Sequence, residues 1–141
     1  MKTRILFVLI VLSSFAAVAA FSQTGQRTVA DGVYTEAQAQ RGEALVRQIG
    51  CANCHGSTLE GGPEETPGLI GNEFINSWLN QSAEDLHIKV GSMPPENKTK
   101  RTAQENADIL ALLLWINGYK TGDTELSPDP AVLKQFKIVY P

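Results

Sequence analysis

The chain is poor in residues that bind metals or form cross-links. Cys51 and Cys54 are the only cysteines among its 141 residues, and His55 and His87 are the only histidines. If both cysteines bind one group, no disulfide is left to stabilise the fold. No cysteine lies directly after the N-terminal apolar run either, so we expect no lipid anchor on an N-terminal cysteine.

The chain also lacks an excess of positive charge. Its 12 Lys and Arg residues are outnumbered by 15 Asp and Glu residues, which gives a net charge of −3. Without Lys2 and Arg4, which precede the N-terminal apolar run, ten basic residues face fifteen acidic ones, a net charge of −5. This balance disfavours a polybasic membrane contact, and we expect no nucleic-acid partner.

An apolar run lies close to the N-terminus. Two basic residues precede the run from Ile5 to Leu12, and small residues follow it. Ala17-Val18-Ala19 and Ala20-Phe21-Ser22 both fit a small-x-small cleavage site, so the pattern predicts a signal peptide over residues 1–22. The alternative is an uncleaved membrane anchor, because the stretch from Ile5 to Phe21 is 17 residues long, close to the shortest membrane span. We expect no stable membrane insertion once the signal is removed.

The only cysteines form one motif, Cys51-Ala52-Asn53-Cys54-His55. This order of residues is the attachment pattern for c-type haem, in which each thiol adds to a vinyl group and the histidine binds the iron. The alternatives are a thioredoxin-like redox pair and half of a zinc site. Zinc would need a second ligand pair, and only His87 remains to supply one. We therefore predict one covalently attached haem c, with its iron bound by His55.

Export and haem attachment agree with each other. Covalent c-type haem is assembled outside the bacterial cytoplasmic membrane, so the signal and the motif together predict a periplasmic protein. An acidic surface would permit attraction to a basic patch on a redox partner.

Met93 is the predicted second ligand of the iron. It is the only methionine left once the signal is removed, and it lies in the segment Gly91-Ser92-Met93-Pro94-Pro95. A thioether suits haem iron, and two prolines would hold the loop at a low cost in entropy. The competitor is His87, which we expect to be an exposed residue of the preceding helix.

The remaining sequence predicts helices. Thr35 and Gln38 form a capping-box pattern at the start of a helix that ends at about Gln48 or Ile49, with Gly42, Leu45 and Ile49 on its inward stripe. A glycine inside a helix is explained by close approach of a second helix or by simple tolerance. Further helices are predicted over 73–79, from the cap Ser82 to Gly91, from the cap Thr102 to Asn117 and from the cap Asp129 to about Phe136.

The last predicted long helix carries eight consecutive apolar residues, Ile109 to Ile116. We expect it to be buried on two sides, by the first helix and by the haem.

Between the motif and the second helix, Gly56 to Gly71 is a glycine-rich loop expected to wrap the haem edge. The residues after Gly122 are too apolar for a free tail, so they either pack back on the domain or dock a partner.

These residues together resemble the class I cytochromes c. The resemblance spans about 33–122 and rests on Gly42, the motif with Gly56, Pro67-Gly68-Leu69, Met93-Pro94 and the Leu112–Ile116 helix. More narrowly, the chain is similar to small monohaem cytochromes related to the haem domains of quinoprotein dehydrogenases. The C-terminal extension departs from the family pattern.

The resemblance implies an all-α cytochrome c fold with about four to five short helices around the haem. It implies a cytochrome domain over 35–122, followed by a C-terminal extension over 123–141. Residues 23–34 are polar and contain glycine, so we expect them to form an extended N-terminal arm. The resemblance also implies His55 and Met93 as axial ligands. Pro67 matches the proline whose carbonyl accepts a bond from the proximal imidazole, and Trp78 lies about where the family places a donor to a haem propionate.

The leading functional hypothesis is therefore a periplasmic one-electron carrier that is not an enzyme in its own right. Its expected partners are a periplasmic dehydrogenase as donor and a terminal oxidase or other cytochrome as acceptor. One alternative is a dedicated subunit of a quinoprotein-type dehydrogenase complex. Another is a haem sensor or peroxidase-like enzyme, which requires that Met93 does not bind the iron or readily leaves it.

Overall fold

A computed structural model describes residues 26–95 and 100–141, and the predicted signal peptide lies outside these ranges. The described residues contain helices and no strand, which confirms the all-α class. After a 3₁₀ turn, Val29–Asp31, the helices are α1 (Glu36–Ile49), α2 (Ala52–His55), α3 (Gly71–Trp78), α4 (Ala83–Gly91), α5 (Ala103–Ile116) and α6 (Pro130–Leu133). None of the helices in these ranges has the length and apolar character needed to cross a membrane.

The predicted caps begin four of the helices. The side chains of Thr35, Ser82 and Thr102 each accept a hydrogen bond from the backbone N–H three residues on, and Asp129 caps α6. At Ser82 and Thr102 the reciprocal carboxylate bond completes a capping box. At Thr35 only half of the predicted box forms, because the Gln38 side chain is bonded to Leu126 instead.

Helices α1 and α5 pack against each other at Gly42. A Cβ on Gly42 would overlap the backbone carbonyl of Asp108, so close helix approach explains this glycine. Beside it, Arg41 donates from Nε and Nη2 to the Asp108 carboxylate at 3.0 and 3.1 Å. Helix α5 is buried from Asn106 to Leu114, as its nearly continuous apolar sequence predicts. On α1, however, Leu45 and Ile49 of the predicted inward stripe are only half-buried.

The C-terminal residues pack back on the domain. Leu126, Leu133, Phe136 and Ile138 belong to the same buried core as α5. Residues 136–138 lie between two parts of the chain, because Lys137 exchanges backbone hydrogen bonds with residues 27–29 and its neighbours bond residues 80–83. The extension is therefore part of one core with the preceding helices.

Three local predictions differ from the structure. The described part of the predicted arm is not simply extended, since it contains the 3₁₀ turn and buries Val29 and Tyr34 completely. Helix α6 ends at Leu133 rather than near Phe136. Single-turn helix α2 was not predicted, and it brings the number of α-helices in the described ranges to six.

Candidate functional site

The cysteine motif forms a short helix directly after α1. Gly50 ends α1 with a left-handed backbone (φ 79°), and its N–H donates to Val46 O at 3.1 Å. The chain then turns into α2, where the His55 N–H donates to Cys51 O at 2.9 Å. Cys51 is half-buried and Cys54 is exposed, and neither is in a disulfide. One helical turn therefore presents two free thiols and an imidazole, because residues three and four apart share a helix face.

The imidazole of His55 is oriented by Pro67. Its Nδ1 lies 2.7 Å from the Pro67 carbonyl oxygen, so Nδ1 carries the proton and donates it to that oxygen. The neutral ring then has its lone pair on Nε2, which is the form that binds a metal. The structure thus brings together two predicted site residues that are twelve positions apart in sequence.

The loop that carries Pro67 is fixed against the motif. The Gly61 N–H donates to His55 O at 3.0 Å, and Leu69 N–H donates to Leu59 O at 2.7 Å. A Cβ on Gly62 would overlap the carbonyl of Cys54, so this glycine allows the loop to lie directly on the motif. Glycine-rich sequence here gives close backbone contact rather than disorder.

The thiol of Cys51 is held in its protonated form at neutral pH. Burial raises the pKa of Cys51 above its usual value of 9.0, and the positive charge of Arg101 partly opposes this effect. Burial therefore disfavours the thiolate form of Cys51 in this fold.

The loop carrying Met93 follows α4 and is tied to α5. Met93 is half-buried, and its N–H donates to Val90 O at 3.1 Å. Arg101 Nη2 donates to Met93 O at 2.6 Å and to Val90 O at 2.7 Å. Sequence reasoning missed Arg101, because nothing in the sequence distinguishes it from the neighbouring Lys100.

His87 is buried rather than exposed, so its predicted position was wrong. It is 8% exposed, and its Nε2 lies 2.9 Å from Ala103 O, which joins α4 to the start of α5. Trp78 is half-buried at the end of α3 and packs against the core.

An ion site or a cavity apart from the cysteine motif would be another place where the described residues could hold a ligand. In the two described ranges, no group of three or more His, Cys, Asp or Glu side chains could hold a metal ion. A cavity of about 430 Å³ lies beside the motif, but neither His55 nor Met93 lines it. It is instead lined by the end of α1, the start of α2 and the far end of α5, including Val46, Ala52 and Ile116.

The arrangement supplies a donor set in which two thiols can form thioether bonds and an oriented imidazole can bind a metal. The Met93 thioether lies in a separate loop, whose backbone is bonded to Arg101. Comparison of the chain with protein-family models, curated proteins and solved structures finds no match.

Proposed function

We propose that this chain is an exported c-type cytochrome that carries one electron at a time between redox partners. Haem c would be held by thioether bonds to Cys51 and Cys54, with His55 and Met93 as axial ligands of the iron. The observation that carries the proposal is the His55–Pro67 hydrogen bond, which leaves Nε2 of the imidazole as the free donor atom. This bond agrees with the class I cytochrome c resemblance.

The donor set fits the cofactor. The two thiols are free and lie on one helical turn. When bound, haem c supplies a reversible one-electron couple at iron. The chain fixes the imidazole tautomer through Pro67, offers a neutral sulfur at Met93 and packs a dry core against the motif. Trp78, as a donor to a propionate, is part of the proposal on the family resemblance alone.

The proposed partners are a periplasmic dehydrogenase as donor and a terminal oxidase or another cytochrome as acceptor. In the alternative hypothesis the chain is a dedicated dehydrogenase subunit, and the apolar tail motivated that idea. The tail's Leu133, Phe136 and Ile138 are buried in this chain's own core, so the burial that suggested a partner is already provided. A freely diffusing carrier is therefore the form that we propose.

The decisive test is the visible spectrum of protein made with haem-maturation machinery. We expect low-spin bands in both oxidation states and a weak methionine-to-iron charge-transfer band in the oxidised protein. Met93→Ala should abolish that band, because the thioether sulfur is lost.

His87→Gln is the matched control, since glutamine can still donate to the Ala103 carbonyl but cannot act as an imidazole ligand. It should keep the band. A high-spin wild-type spectrum that Met93→Ala does not change would contradict the proposal and favour the sensor or peroxidase-like alternative.

A further inference from the structure

Arg101 connects three parts of the chain around Met93. It lies just before α5, and its Nη2 donates to the carbonyls of Met93 and Val90 at 2.6 and 2.7 Å. Its Nε donates to Asn106 Oδ1 at 2.9 Å. One guanidinium thus joins the end of α4, the methionine loop and the first turns of α5.

These contacts hold the backbone of Met93 at both of its polar groups. The Met93 N–H is bonded to Val90 O, and Arg101 supplies the bond to the Met93 carbonyl. The partner side chain is itself fixed, because Asn106 is only 9% exposed and a Cβ on Gly91 would come within 3.1 Å of its Nδ2. The loop is therefore braced from a buried residue of α5.

We infer that Arg101 is a positioning residue that holds the loop so that the Met93 sulfur stays available to the iron. This inference rests on the proposed function. A thioether is a neutral ligand that competes with small anions, so the fraction of protein with Met93 bound depends on how well its backbone is ordered in advance. Hydrogen bonds from a charged donor to a carbonyl are stronger than neutral ones, which suits this role.

Arginine suits the position better than lysine. The planar guanidinium donates from Nε and Nη2 at once, whereas an ammonium is a single point of charge on a flexible stem. The Nη1 atom is buried and has no hydrogen-bond partner among the described residues. The positive charge of Arg101 also acts on the Cys51 thiol and lowers its pKa, against the larger effect of burial. A positive charge this close to the motif also favours reduced iron over oxidised iron, because it opposes the additional positive charge.

The test compares three variants of the haem-loaded protein with wild type. Arg101→Gln removes the positive charge and its hydrogen bonds. Arg101→Lys keeps the charge but cannot donate from two nitrogen atoms at once, as the guanidinium does. Arg41→Gln is the matched control, because it loses the same charge and breaks the ion pairs with Asp108 and Glu125. Among the described residues, the hydrogen bonds and ion pairs of Arg41 do not involve the methionine loop. Each protein is titrated with cyanide in the oxidised state, and its reduction potential and melting temperature are measured.

We expect cyanide to bind oxidised Arg101→Gln about ten- to a hundredfold more tightly than wild type, because loss of a charged hydrogen bond releases Met93. Arg101→Lys should show most of this change while keeping a potential closer to that of wild type. Arg41→Gln should melt at a lower temperature with cyanide affinity unchanged, which separates loop positioning from general stability.

Equal cyanide affinities in Arg101→Gln, Arg41→Gln and wild type would overturn the inference while leaving His/Met ligation intact. If Arg101→Gln does not accumulate with haem, the cyanide affinity of Arg101→Lys is compared with those of Arg41→Gln and wild type, and equal values again overturn the inference. A wild-type protein without the methionine charge-transfer band would overturn both the inference and the proposed function, since no methionine ligand would exist to be positioned.

Discussion

Tyr34 and Gln38 each use one side chain to join the start of α1 to the C-terminal residues. The Tyr34 hydroxyl donates to the Tyr119 carbonyl, and the Gln38 amide donates to Leu126 O and accepts from Leu126 N–H. Both side chains are completely buried. Buried polar groups of this kind fix one arrangement of the chain, because any other would leave them without partners.

Tyr34 should ionise only at very high pH. Burial raises its pKa from the ordinary 10.0 to about 12, because the phenolate would be taken out of water. The neutral phenol then contributes stability that is fully present below about pH 10 and is lost as pH rises toward 12.

An ultraviolet absorbance titration of wild type against Tyr34→Phe should therefore show a difference attributable to Tyr34 with its midpoint near 12. A midpoint near 10 in the folded protein would contradict the burial of this side chain.

Residue identity in the site was predictable only where chemistry demands a fixed spacing. The cysteine motif with His55 could be singled out because the proposed haem attachment needs those residue types in that order, and Pro67 came from the family resemblance. Arg101 could not be found, because its role depends on carbonyls that only the folded loop brings within reach. His87 was misplaced since a polar ring on a short helix gives no signal that Ala103 O will accept its hydrogen bond.

At the scale of helices, the crossing of α1 and α5 depends on Gly42. We expect Gly42→Ala to destabilise the protein by about 1–3 kcal/mol or more, although alanine is the better helix former by roughly 1 kcal/mol. The new Cβ would overlap the Asp108 carbonyl and push the helices apart. Denaturant unfolding monitored by circular dichroism gives the change in free energy.

Ala44→Gly is the matched control, because Ala44 is exposed on the same helix. It should cost roughly 1 kcal/mol through helix propensity alone. If Gly42→Ala were as stable as wild type or more so, the helices would not be in close contact at this point.

Helix boundaries followed the caps well, because Thr35, Ser82, Thr102 and Asp129 satisfy backbone donors locally. Which faces are buried was harder to predict. Gln38 is buried since Leu126 returns from a distant part of the chain to bond it, and no pattern within α1 contains that information.

At the scale of the whole molecule, the two ends of the described chain are held together. Phe136 is 4% exposed, and the Arg27 guanidinium lies 4.3 Å from the centre of its ring. We expect Phe136→Ala to destabilise the protein by about 3–5 kcal/mol, because it leaves a cavity where the tail enters the core. The change in melting temperature measures this effect.

Tyr140→Ala tests the same tail at an aromatic residue that is 64% exposed. It should change stability by no more than about 0.5 kcal/mol. Similar losses from both substitutions would contradict the packing of residues 133–138 as part of the core.

The backbone of Lys137 is hydrogen-bonded to residues 27–29. Because this pairing joins an early and a late part of the chain, it can form only after residue 137 has been made. Cys51 and Cys54 emerge about 80 residues before Lys137 does. The core cannot close until that late segment arrives, because Phe136 and Ile138 complete it. A newly made chain therefore passes through an interval in which both thiols are accessible and the interior beside them is still open.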